Sequence, residues 1–468
     1  MKNSITIQLL LLVFVTNSIL FSCEKLIEID DPKGEIPSEI VYENTQTATA
    51  AITQLYANLR DEYLVSGNLY GASTLMGFYA DELDYYALAT NPVNDYVEHR
   101  ILSSNTINSS IWSSGYQLIY MCNIALERLE NNKNLSNETK NQLKGEALFI
   151  RALVHFYLSN YYGEIPYIKT SQYLQNVKVN RQSTLDIYNQ LKDDLKQAQV
   201  FLKNEYPTSE RIRANYFTVT ALLARVELYH KNWKDAEEWS NEIINTTSMY
   251  SLENDLSKEF LKESHSAILQ LKPKKIGDPT NESKQFIFEV GPPPTMALSQ
   301  KLVDEFESKD LRKQIWIKQI NKGADYWYMP YKYKQNTIKS ESTEYAILFR
   351  LAEQILIRAE ARIMQGNITG ALQDINTIRN RAGLTNTTAV NSTTIMDEIL
   401  KERRLELFTE HGHRWFDIKR LNKAEIILQP LKHGWKSTDI LFPIPETEIR
   451  MNPNLLPQNL SLIHISEP

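Results

Sequence analysis

The sequence has no excess of basic residues. Its 51 Lys and Arg stand against 57 Asp and Glu, a formal net charge of −6 at pH 7, and no run of like charges makes a polybasic tail. A phosphate-binding face needs basic residues, so nucleic acid is excluded as a partner. No Gly-rich phosphate loop, no Gly-x-Ser-x-Gly elbow and no Cys/His nucleophile signature occurs, and no cofactor is expected. His411-Gly412-His413, beside Glu406 and Glu410, lacks the i, i+4 spacing of zinc-binding histidines and has no cysteine near it. Gly412 reads there as a helix end, with Glu402, Arg403, Arg404, Arg414 and Asp417 forming a charge-paired helix–turn–helix. No metal site is expected.

Long apolar runs are also scarce. The one at residues 5–21 is short for a membrane span and contains Gln8, Thr16, Asn17 and Ser18. Preceded by Lys2 and followed by small residues, it has the form of a secretory signal, residues 1–22. Leu20-Phe21-Ser22-Cys23 resembles the lipobox of bacterial lipoproteins, with Phe21 bulkier than the usual residue there. The resemblance implies cleavage after Ser22 and acylation of Cys23, palmitate included, so that a lipid anchors the chain to a membrane. An acylated Cys23 cannot pair with Cys122, the only other cysteine, which then reads as a small buried apolar residue in a helix. Residues 23–40, with Glu24, Glu28, Asp30, Asp31, Pro32 and Gly34, form an acidic, aperiodic tether.

Beyond the tether, 42% apolar and 23% charged residues describe a globular chain with a sizeable core. Leu143, Ala147, Ile150, Val154, Tyr157 and Tyr161 step by four and three, as do Ala214, Phe217, Ala221, Ala224 and Leu228, and Leu348, Ala352, Ile355 and Ala359. These are amphipathic helices with small residues on the buried seam. A shift of 135 residues lays Ala224 on Ala359, Asn232 on Asn367, Ala236 on Ala371 and Ile243 on Ile378. Helix, tight turn and an early alanine in the next helix is the tetratricopeptide arrangement. The expected fold is mostly α, a tetratricopeptide-like superhelix of helix pairs with large loop-rich insertions containing short strands. Helical parts span 41–248 and 344–459. Between them residues 249–343 hold Pro273, Pro279, Pro292, Pro293 and Pro294, little helical period beyond 298–306, and strand-like alternation at 315–317 and 324–333. A second irregular zone covers residues 66–111.

Aromatic rings gather in both zones: Tyr79, Asp81, Asp84, Tyr85, Tyr86 and Tyr96 in the first, Tyr326, Trp327, Tyr328 and Tyr331 in the second. A sugar stacks its apolar face on a flat ring while acids and amides bond its hydroxyls, so Asp81, Asp84, Tyr85, Tyr86, Tyr96, Tyr326, Trp327 and Tyr328 are the candidate ligand-binding residues. On a strand Trp327 faces away from Tyr326 and Tyr328, and one of those faces is left to the ligand. Trp112, heading a helix with Tyr116 and Tyr120, reads as core. The 25 tyrosines and 7 tryptophans can equally fill helical cores. A glycosidase needs two acids set by fold geometry, which pairs such as Asp81 and Glu82 do not reveal.

Four ordered segments carry a family resemblance. They are Arg151-Ala152-Leu153-Val154-His155-Phe156-Tyr157 with Tyr162-Gly163-Glu164-Ile165-Pro166; Ala221-Leu222-Leu223-Ala224-Arg225-Val226; Glu402-Arg403-Arg404-Leu405-Glu406-Leu407 with Gly412-His413-Arg414-Trp415-Phe416-Asp417; and Leu441-Phe442-Pro443-Ile444-Pro445 with Asn452-Pro453-Asn454-Leu455. With the lipobox, the chain resembles the SusD/RagB family of nutrient-binding outer-membrane lipoproteins. That resemblance implies a noncatalytic, surface-exposed protein that binds oligosaccharide or another nutrient and acts as lid and capture partner of a TonB-dependent outer-membrane β-barrel transporter of SusC type. The alternatives are a helical-repeat scaffold for protein interaction at the cell surface, or a glycoside hydrolase. After Asn459 the family pattern would continue Pro-Gly-Tyr; residues 460–468 instead resemble the translation of a transposon-end adapter and are expected to be non-native. Cys23→Ala is predicted to abolish incorporation of labelled palmitate and to release the protein from membranes; a processed variant that stays membrane-bound would contradict lipid anchoring.

Overall fold

The structure, a computed structural model, describes residues 38–62 and 64–459. Cys23, the signal segment, the tether up to residue 37 and the tail 460–468 lie outside the described residues. The chain divides at Val41 into a short N-terminal unit, in which Ser38–Val41 is helical, and a unit from Tyr42 onward that holds every feature below.

Polar caps start the helices of this second unit. Asn44 accepts a bond from the Thr47 backbone N–H at the head of α1 (Thr45–Asp61). Helix α2 is Ala72–Tyr79. Asn105 caps α3 (Thr106–Glu130), Ser136 caps α4 (Asn137–Tyr162) and Ser183 caps α5 (Thr184–Phe201). Then follow α6 (Tyr216–Tyr229), α7 (Trp233–Asn245), α8 (Leu351–Met364), α9 (Ile368–Arg381), α10 (Ser392–Leu407) and α11 (His413–Arg420). With 53% helix and 7% strand, the fold is mostly α.

The internal repeat is physical. Tyr216 and Leu351 open α6 and α8, and Trp233 and Ile368 open α7 and α9, at the same 135-residue offset. Both turns use a left-handed residue, Lys231 at φ 61° and Gly366 at φ 80°, to break the first helix. Both then place an asparagine N-cap at nearly the same angles, Asn232 at −86°, 80° and Asn367 at −82°, 74°. Ala224, Ala236, Ala359 and Ala371 are fully buried, because only a methyl group fits where the paired helices cross closely. Successive helices pack in order: α3 on α4, α4 on α5, α5 on α6, α6 on α7, α7 on α8, α8 on α9, and α10 against both α8 and α9. Residues 249–343 separate α7 from α8 in sequence but not in space. Each amphipathic face is closed by the next helix, as in a solenoid.

Several boundaries differ from the periodic reading. Leu348 is not helical; it sits in β6 (Ala346–Arg350), which pairs antiparallel with β2 (Ala267–Leu271). Both strands are buried along their whole length, so apolar residues run continuously and their period cannot separate strand from helix. Ala214 precedes the Asn215 capping box of α6. Ile315 and Trp316 end a short helix, Leu311–Trp316, before β4 (Ile317–Lys322) begins; β5 runs Asp325–Pro330 and ends where proline lacks an N–H. The 298–306 stretch splits into β3 (Met296–Leu298) and a one-turn helix, Gln300–Asp304.

The carboxylates of Glu402, Glu406 and Glu410, spaced by four from α10 onward, are buried. Glu406 accepts from Arg350 at 2.6 Å, from Arg312 at 3.3 Å and from Arg381. Glu402 accepts from Arg312 at 2.8 Å and Arg379 at 2.9 Å, and Glu410 from Arg350 at 2.8 Å and from Lys332. Glu259 takes Arg350 at 3.2 Å and Arg381 at 3.1 Å. Within the expected helix–turn–helix Asp417 pairs internally, with Arg403 at 2.7 Å and with Arg420 at 2.8 Å. The other charges reach outward and tie residues 259, 312 and 332 of the insertion to the helical stack.

Burial pushes the Glu406 pKa up, but the charges of Arg381, Arg350 and Arg312 outweigh it and hold the group well below the usual carboxylate range. A depressed folded-state pKa adds stability above the unfolded value of about 4.3, and that contribution fades as pH falls toward the folded value. The denaturation midpoint is therefore predicted to drop as pH is lowered below about 4. Glu406→Gln is predicted to cost ~3–5 kcal/mol at neutral pH, as for other broken buried pairs, and to flatten the acid dependence. Urea titration at several pH values checks both.

Candidate ligand-binding site

One sheet joins the two irregular zones. Strand β1 (Leu83–Tyr85) from the first zone pairs antiparallel with β3, β3 with β5, and β5 with β4. Asp84 lies opposite Ala297, Tyr85 opposite Met296, Leu298 opposite Tyr328 and Trp327 opposite Ile320; the Tyr86 N–H extends the ladder to the Thr295 carbonyl at 2.8 Å. Opposed residues share a face and neighbours alternate, so the register sorts the candidates into two groups.

The first face carries Leu83, Tyr85, Tyr326 and Tyr328. Its inner end is packed: Leu83 presses on Gly77 of α2, where a Cβ would come within 2.7 Å, and Phe78 meets Tyr85 edge-on at 5.3 Å. Its outer end is free, with Tyr326 and Tyr328 tilted 73° apart at 5.7 Å near the hairpin tip and Tyr326 51% exposed. Gly323, at φ 63°, makes that tight hairpin turn.

The second face carries Asp84, Tyr86 and Trp327. Trp327 packs on a small core of Phe288, Ala297, Ile320 and Met329. Its indole lies close to the Tyr86 hydroxyl, whose pKa is raised first by desolvation and then by the Asp84 charge. Tyr86 is 42% exposed. Gly291 lies against the Trp327 ring, and a Cβ there would sit 2.0 Å from it. Gly291 was not among the sequence candidates; a glycine directly before three prolines was the available signal.

Two candidates do not reach solvent. Tyr96 is fully buried, edge-on to Phe442 at 5.5 Å and to Tyr79 at 6.3 Å. Asp81 is buried against Arg414 at 2.8 Å and Arg404 at 2.8 Å. Burial raises its pKa, and the two guanidiniums overcome that and lower it. Tyr79 is also interior and donates to the Asp439 carbonyl at 2.7 Å. Much of the 66–111 zone is thus core, packed under α11, and its aromatic composition reflects packing as well as surface. His411 and His413 are buried too, His411 bonding the Ile347 carbonyl at 2.8 Å, and desolvation lowers both pKa values. Among the described residues no group of His, Cys, Asp or Glu has a metal-holding arrangement.

Comparison with known proteins bears on this architecture. Residues 36–228 match a family model described as starch-binding and associating with the outer membrane, and residues 316–439 match the model of the SusD family. The SusD-like protein P2 of Formosa agariphila is 27% identical, over 98% of this chain and 99% of its own length; P25 of the same organism is 24% identical, over 93% and 95%. A SusD superfamily protein from Bacteroides vulgatus shares the fold with a TM-score of 0.78 at 23% identity, over 88% of this chain and 98% of its own. Surface glycan-binding protein A of Bacteroides thetaiotaomicron, solved with laminarihexaose, gives 0.73 at 18% identity, over 88% and 99%. Two models matched in chain order, end-to-end relatives and the common helix-pair stack place the molecule: the chain belongs to the SusD/RagB family.

Proposed function

We propose that this protein captures glycan at the outer membrane without chemically altering it, and hands it to a TonB-dependent β-barrel for which it serves as lid. The observation that carries the reading is the shared sheet. It brings Asp84 and Tyr86 of one zone beside Trp327 of the other, on a face whose rings are fixed by packing and partly open to solvent. A partly exposed indole offers a flat apolar surface to a sugar ring, and the exposed Asp84 carboxylate accepts bonds from hydroxyls. Tyr326 and Tyr328 at the hairpin tip form a second platform on the opposite face. Tyr85, on that same opposite face, is partly exposed, with its ring edge-on to Phe78 and its hydroxyl donating to the Leu88 carbonyl at 3.2 Å. The family descriptions and the laminarihexaose complex of the structural neighbour support glycan as the ligand class, and the outer-membrane description supports the location. Lipid anchoring through Cys23 and the β-barrel partner rest on the lipobox and the family resemblance. Asp81, near Asp84 in sequence, is consumed by two arginines and is not free to meet a ligand.

Affinity electrophoresis against a polysaccharide panel tests the proposal. Retardation by at least one glycan is expected, with no new reducing ends after long incubation. Trp327→Ala and Tyr86→Ala are each predicted to weaken binding roughly two- to tenfold, from ~0.5–1.5 kcal/mol per aromatic contact. Unchanged affinity in the double variant moves the site elsewhere. Absence of retardation by every glycan, with a barrel still co-purifying, favours a protein scaffold; product formation favours a hydrolase.

A further inference from the structure

A separate cleft of about 530 Å³ opens between α3, residues 166–177 and the helix Glu446–Met451. Trp112, Tyr116 and Tyr120 of α3 step by four, so they line one helix face with ~6 Å of rise between successive rings. Trp112 is buried as the sequence reading has it, its ring 4.9 Å from Tyr116. Tyr120 is not core: it is 47% exposed, and across the cleft Tyr173 is 73% exposed. Concave, aromatic and of ligand size, the cleft has the form of a small-molecule site.

Its charge is what selects the ligand. Glu448 is the acid in the wall, close to the Trp112 ring. Among the described residues no Lys or Arg pairs with it, whereas the buried carboxylates of Asp81, Glu146, Asp194, Glu353 and Glu406 each have an arginine within reach. Arg181 lies near Tyr116, but its guanidinium donates to the Glu164 and Pro457 carbonyls and to Asn459. Desolvation raises the Glu448 pKa, and the nearby Trp112 indole only partly offsets that, which marks an under-compensated anion. Aromatic faces present negative charge density as well. Neutral sugars find few free donors here, since the amides of Asn176 and Asn452 already donate to the Thr170 and Val179 carbonyls. We propose that this cleft is a second ligand site, which takes the alkylammonium group of a small organic solute between the tyrosine rings and against Glu448.

Isothermal titration of the whole protein with choline chloride tests this, with sodium chloride and the uncharged carbon isostere of choline, dimethylbutanol, as controls. Saturable choline binding is expected, at least about tenfold tighter than the isostere (~1.4 kcal/mol). Glu448→Gln is expected to weaken it by at least about tenfold, and Tyr173→Ala, an exposed position that leaves the core intact, by roughly two- to tenfold. Trp327→Ala, in the glycan face, should leave choline binding unchanged. No saturable heat, equal binding of the isostere, or full affinity in a folded Glu448→Gln protein would each overturn the proposal.

Discussion

A carboxylate taken out of water must find cations, and the row Glu402, Glu406, Glu410 meets this demand with guanidiniums drawn from distant parts of the chain. Arg312 comes from the insertion, Arg350 from the strand before α8, and Arg379 and Arg381 from the end of α9. An unpaired member of such a cluster is strongly destabilising, so the insertion cannot drift from the stack without leaving charges exposed to an apolar interior. The helical pairs form a solenoid by packing; the charge cluster turns that solenoid and its long excursion into one body. Arg404 and Arg414 extend the same device to Asp81, and with it to the strand that carries Asp84 and Tyr86.

The binding face inherits its rigidity from this arrangement. Strand β1 is clamped at its N-terminal end by the Asp81 ion pairs and along its edge by β3, and the hairpin of β4 and β5 completes the sheet. Trp327 is held from below by Ile320 and Met329 and from the side by Gly291. Rings fixed in this way lose little conformational freedom on meeting a ligand, which suits a protein that must hold a solute and later release it. The aromatic cleft beside α3 rests on the other end of the molecule's chemistry: there, rings and a carboxylate meet with no Lys or Arg lining the wall among the described residues.

Helices and the repeat were legible because each rests on local rules. Alternating steps of three and four mark the buried seam, and the 135-residue shift lays one helix–turn–helix on the other. Strands were less legible. In the buried run Ala346–Arg350 every side chain is interior, so no alternation betrays the strand, and Leu348 takes a helical rhythm by coincidence. Irregular composition likewise misplaced part of the 66–111 zone, whose glycine- and tyrosine-rich stretch includes the fully buried helix α2 and the buried Tyr96.

Sequence alone determined the repeating helix pairs, the alternation that sets Trp327 against Tyr326 and Tyr328, and the gathering of rings in two zones, since all three depend on neighbours a few residues apart. Only the tertiary structure decided which rings meet solvent. Period two assigns a strand two faces, but the cover on each face comes from outside the strand: Phe78 of α2 beside Tyr85, Gly291 of the insertion against Trp327, and Arg404 and Arg414, hundreds of positions away, over Asp81. Long-range pairing, not composition, separates a binding ring from a core ring.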